Sequence, residues 1–169
     1  MILNCKSLPL AVLLALGANQ ACAVDTNPVA VNRALALIHS HSGEARASAG
    51  DRYVSRGVFV DADGTEHVRL DRTYNGLPVI GGDLVVHSRN GKYESTSLTQ
   101  DAVLNLSTTP VVKSDAAIVA AGAEFGAGFT GMPESTLSVY ARGKGTPKLV
   151  WRVRMQNAQA EIGRASCRE

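Results

Sequence analysis

The side chains that could carry acid–base or metal chemistry are four histidines (His39, His41, His67 and His87), fifteen carboxylates and three cysteines. A helical zinc-hydrolase site needs His-Glu-x-x-His, in which two histidines one turn apart face the metal and the glutamate acts on its water. That spacing does not occur here. His39 and His41 are two positions apart at the end of a helical pattern, where their side chains diverge by about 200°. Glu66-His67 falls in a strand-like stretch. All four histidines therefore read as surface residues, and neither a metal nor a cofactor is expected in this chain. No Gly-x-Ser-x-Gly elbow is present, and Cys167 lies in an aperiodic tail, so no nucleophile is positioned. Gly81-Gly82 and the glycines between 122 and 131 lack the lysine and spacing of a phosphate loop and read as turns or a bulge. Asn105-Leu106-Ser107 matches a glycosylation sequon by chance. No catalytic set is expected.

The elements around these residues have clear periods. Asn27-Pro28 offers a cap followed by proline, and Val31, Ala34, Leu35 and Ile38 recur at helical spacing, which predicts a helix over 28–40. Residues 42–51 are a loop. From Arg52 to Leu98 the period becomes two, and Asp63-Gly64, Asn75-Gly76, Gly81-Gly82 and Asn90-Gly91 punctuate it, which predicts an antiparallel meander. Val68, Leu70, Tyr74, Leu84 and Val86 take its buried face. His67, Arg69, Asp71, Thr73 and His87 take the wet one. Residues 101–113, with Pro110, suit a linker. Ser114 can cap a second helix through Ile118, Ala121, Gly122 and Phe125. A hairpin follows, with Leu137, Val139 and Ala141, then Leu149, Trp151, Val153 and Met155 on the helix side and Val150, Arg152 and Arg154 opposite. The expected class is α+β: two small subdomains, each a helix packed on an antiparallel sheet. The second is incomplete, because 156–169 contains no further alternating strand and reads as an irregular, non-native tail.

The composition, 45% hydrophobic and 19% charged, is that of a globular chain. A net charge of +2 without a basic block gives no support for nucleic-acid binding. Residues 1–23 read as a signal peptide: one early charge at Lys6, an apolar run from Leu8 to Leu16, then Ala21 and Ala23 at the positions before the cleavage point. The apolar run is shorter than the roughly 20 residues that span a bilayer, so no membrane association is expected after cleavage and the mature chain is secreted or periplasmic. Cys5 and Cys22 leave with this leader, and Cys167 alone cannot form an internal disulfide.

The run from His67 to His87, with His-Val-Arg, Tyr-Asn-Gly-Leu-Pro-Val, Gly-Gly, and Leu-Val-Val-His, resembles the FTP domain, the fungalysin and thermolysin propeptide module, here spanning 24–100. Residues 114–155, ending in Trp151-Arg152-Val153, resemble the start of a PepSY domain. Signal peptide, FTP, then PepSY is the order that precedes the catalytic domain in secreted bacterial thermolysin-like zinc proteases. The resemblance implies a propeptide fragment, a zymogen part that acts as intramolecular chaperone and inhibitor. Its partner would be a thermolysin-like catalytic domain in cis, which would itself carry the zinc and calcium. The alternative is a free-standing exported protein that inhibits proteases in trans. No protease domain follows in this sequence, and 161–169 resemble a cloning adaptor, so the chain is expected not to be an enzyme. The partner-binding surface is expected to include Arg69, Asp71, His87, Arg152 and Arg154.

Overall fold

A computed structural model describes residues 27–126, 128–157 and 162–168; the leader, with Ala21 and Ala23, lies outside the described residues. Helix α1 runs from Pro28 to Ser40. The Asn27 side chain accepts from the Val29 and Ala30 amides at 3.2 Å each, and proline at the first position has no amide to leave unpaired. Its buried stripe is Ala30, Ala34 and Ile38, with Val31 and Leu35 on the shoulders.

Five strands follow: β1 (Asp51–Val60), β2 (Thr65–Tyr74), β3 (Leu77–Ile80), β4 (Leu84–Arg89) and β5 (Lys92–Leu98). At Asn75-Gly76 and Asn90-Gly91 both central residues take positive φ, the conformation that matches a hairpin turn to the twist of its strands. β1 covers one edge of β2. The other edge is divided, with residues 65–70 paired to β4 and Thr73 and Tyr74 paired to β3. Val68, Leu70, Leu84 and Val86 face α1 and form a closed core with it.

Helix α2 (Ser114–Phe125) precedes β6 (Phe129–Tyr140), β7 (Lys148–Asn157) and β8 (Ile162–Arg168). Ser114 does not cap α2. It is the first helical residue, and its hydroxyl lies 2.6 Å from that of Ser135. Ala121, Val153 and Met155 form the core beneath this helix.

Four expectations from the sequence change here. The described strands form one hydrogen-bonded path, β5-β4-β2-β3-β6-β7-β8, because β3 pairs in parallel with β6 through Val79–Val139 and Ile80–Tyr140. The two helix-on-sheet units are thus one continuous sheet. Second, residues 101–113 are irregular in backbone but not a free linker: Leu104 is buried with Tyr74, Val139, Ala141 and Leu149 in a third core at the seam. The Trp151 indole also donates to the Val112 carbonyl at 2.9 Å. Third, the stretch expected to be an irregular tail contains β8, which pairs with β7 over seven positions, so the second half of the sheet has a third strand. Ile-Gly-Arg-Ala-Ser-Cys-Arg has no apolar alternation, and its pairing rests on main-chain hydrogen bonds that periodicity does not report. Fourth, Val150, placed by alternation on the outer face, is only 2% exposed, since both faces of β7 are covered near the seam.

The backbones of the two halves also come close at Gly81. Its φ is +82°, and a β-carbon there would sit 2.7 Å from Cβ and 2.8 Å from Cα of Arg142. Glycine satisfies both the left-handed backbone and the contact.

Candidate functional site

The face of the meander turned away from α1 carries the predicted surface residues of β2 and β4. Backbone register sets them in rows. Phe59 on β1 is opposite His67 on β2, and His67 is opposite His87 on β4. Beside this row, Arg69 pairs with Asp83 at 3.2 Å, and the Asp71 carboxylate takes the Arg56 guanidinium at 2.5 Å. Arg56 stands at the irregularity between Ser55 and Gly57, where the extra residue re-aims the strand. Val54 and Phe59 remain 59% and 65% exposed on this face, so apolar surface is interleaved with paired charges.

The two histidines of this row are in direct contact. The two Nδ1 atoms are 2.6 Å apart and the rings meet edge to face, with centroids separated by 4.8 Å. His67 Nε2 lies 2.8 Å from Asp61 Oδ2, and His87 Nε2 lies 3.0 Å from Ser97 Oγ. A carboxylate only accepts, so His67 carries its proton on Nε2 and offers a bare Nδ1 to the Nδ1–H of His87. The Ser97 hydroxyl then donates to His87 Nε2. Burial holds the His87 imidazole below its ordinary value of 6.5, charge on His67 pushes the same way, and Glu94 opposes both.

Three of the four histidines expected at the surface keep partial exposure but also make ring contacts there. His41 stacks on Tyr93 at 3.9 Å, and His67 and His87 are partly buried against each other. The available signal was that both meander histidines fall on the wet face of their strands. Their register lay beyond it.

Arg152 and Arg154 are on β7, on the side opposite Val153 and Met155, and Arg154 reaches Glu134 at 3.6 Å. The path from β2 to β7 runs through β3 and β6, so these arginines belong to the second half of the sheet and do not join the histidine row. Among the described residues, no group of three or more His, Cys, Asp or Glu side chains is placed to hold a metal. No helix among them is long and apolar enough to cross a membrane.

The meander has five strands backed by one helix, and its outer face mixes apolar side chains with ion pairs. Residues 51–98 match the family profile of the Fungalysin/Thermolysin Propeptide Motif, and the matched span begins with the first residue of β1 and ends with the last of β5. The matched span leaves α1 outside it. The transglutaminase-activating metalloprotease of Streptomyces mobaraensis is 42% identical over 71 residues, which is 41% of this chain and 9% of that protein. The similar stretch thus covers a small part of that much longer relative.

Proposed function

We propose that this chain is the propeptide region of a secreted thermolysin-like metalloprotease precursor, and that it works as an intramolecular chaperone and inhibitor of the catalytic domain. The observation that carries this reading is the coincidence of the propeptide match with the β1–β5 meander, whose outer face is open. A module that binds only the folded form of its partner stabilises that form by mass action. The same contact, laid over a cleft, excludes substrate. Val54 and Phe59 supply apolar contact, and the Arg69–Asp83 and Arg56–Asp71 pairs fix orientation at the rim. Residues 114–155, with their likeness to a PepSY domain, form the second half and present Arg152 and Arg154 to the same partner. Hydrolysis, with its zinc and calcium, belongs to the catalytic domain. The location that goes with this role is secreted or periplasmic.

A free-standing inhibitor acting in trans is the second reading, favoured by β8, which gives the second half three strands of its own. Both are tested by adding the purified chain to a denatured thermolysin-like protease during refolding, and to the mature enzyme. Recovered activity that rises with added chain, together with inhibition of the mature enzyme, is the outcome for a propeptide. Inhibition without recovery indicates the trans inhibitor, and neither effect overturns both.

A further inference from the structure

We propose that His67 and His87 form an acid-sensitive clasp between β2 and β4, able to take up one proton with the sheet intact and a second only by breaking the Nδ1–Nδ1 contact. In the neutral pair a single N–H lies between the two Nδ1 atoms, 2.6 Å apart. The first added proton has a place: it enters at His87 Nε2, and the Ser97 hydroxyl turns from donor to acceptor. If the shared proton then shifts across to His67, the positive ring faces Asp61 at 2.8 Å. A second added proton has no such place. It puts an N–H on both Nδ1 atoms and two positive rings in contact, and the rings must part.

The surrounding charges do not remove this conflict. Asp61, on the turn after β1, faces the far nitrogen of His67, and Glu94 acts on His87 from β5. Glu94 is itself engaged by Arg89 of β4 at 3.4 Å, and Arg89 also binds Asp63. Arg69, two residues along β2, is held by Asp83, and Arg56 of β1 is held by Asp71. On the opposite side of the sheet, Glu66 is occupied by Arg33 of α1. Both carboxylates near the pair favour one charge on it, and neither lies between the two Nδ1 atoms.

The clasp sits at the middle of the sheet that α1 covers, so opening it loosens the β2–β4 ladder that carries Val68, Leu70, Leu84 and Val86. This inference concerns the chain alone and stands whether or not it serves a protease. The test follows the imidazole nitrogens of the whole chain by 15N NMR from neutral to acid pH, with urea unfolding over the same range. The expected result is a coupling between the two Nδ1 nuclei at neutral pH, and two titration steps separated by more than about one pH unit that belong to the pair. For each unit by which the lower step falls under 6.5, the folding equilibrium constant drops about tenfold on acidification. His87→Gln keeps a donor for His67 and removes the second charge, so its stability should fall less between pH 7 and 5; His67→Gln should restore a single titration to His87. Two independent steps near 6.5 in the unaltered chain, or unfolding profiles with the same pH dependence in all three proteins, overturn the proposal. If either variant fails to fold, the nitrogen titration of the unaltered chain decides alone.

Discussion

Arg72 and Asp51 meet where solvent does not reach, Nη1 lying 3.4 Å from Oδ2 with the side chains 0% and 1% exposed. The guanidinium also donates to the carbonyls of Ala45 and Arg46, at 2.6 and 3.0 Å, and lies 5.3 Å from the Tyr53 ring centroid. Asp51 in turn accepts from the Ser48 amide at 2.8 Å. One buried pair thus ties the loop after α1 to the start of β1 and the end of β2.

Removing one partner should be far worse than removing both. Arg72→Met leaves a buried carboxylate without its cation and should cost about 3–5 kcal/mol in urea unfolding. The double variant Arg72→Met/Asp51→Asn should recover a substantial part of that loss. Equal destabilisation in the two proteins would show that packing of the arginine stem, and not charge pairing, holds this corner.

Tyr53 shares the compartment, and its phenol lies 3.3 Å from Asp51 Oδ2. Burial pushes its pKa from 10.0 up to about 12; Asp51 adds to the rise and Arg72 opposes it. A folded-state pKa above the unfolded one means the contribution to stability is complete below pH 10 and is lost as pH rises through about 12. Ultraviolet titration of the chain against Tyr53→Phe should therefore show a difference spectrum centred near 12. A midpoint near 10 would mean that water reaches this site.

Glu66 behaves in the opposite sense. The hydrogen-bonded Arg33 guanidinium holds its carboxyl below the ordinary 4.5, with partial burial opposing. Its contribution is present above pH 4.5 and fades as pH falls through the lower folded-state value. Glu66→Gln should lower stability at pH 7 and flatten the profile below pH 4.5, measured by thermal melts in buffers of stepped pH. An unchanged acid limb would assign that loss to other carboxylates.

Gly76 and Gly81 separate two roles of glycine. Their φ values are +85° and +82°, but a β-carbon at Gly76 meets open space while one at Gly81 meets Arg142. Gly76→Ala should cost about 1 kcal/mol, the left-handed penalty alone. Gly81→Ala adds an overpacking cost and should reach about 2–4 kcal/mol. Equal losses in denaturant melts would show that the Gly81–Arg142 approach relaxes freely.

Local chemistry made much of this fold readable. A cap, a proline and a four-residue apolar rhythm delimit α1, and Asn-Gly pairs mark two of the hairpin turns, because each signal lies within a few residues of what it determines. Arg72 also left a trace, as the one charged residue interrupting Val68, Leu70 and Tyr74 on the buried face of β2. The β3–β6 pairing left none: two residues from each strand meet, and neither strand carries a pattern naming its partner. The histidine row was half visible. Alternation put His67 and His87 on the wet face, but their contact depends on the register of β2 against β4, which the connection through β3, Gly81 and Gly82 sets.

The β3–β6 seam also makes a statement about time. Most of the other ladders join strands that are neighbours along the chain, whereas Val79 and Val139 are sixty residues apart. Hairpins close in about 1–10 μs, but the seam must first meet the entropy of a long loop, and only then do its few pairs return any stabilisation. The two halves are accordingly expected to form early and join last, so substitutions at the seam should speed unfolding while leaving the folding rate nearly unchanged. Trp151, the single tryptophan, is tethered to Val112 close to that junction and should report the delay as a late change in fluorescence. Until the halves join, the strand edges of β3 and β6 stand bare, and the slowest moment of folding is also the one at which a second copy of the chain can pair with them.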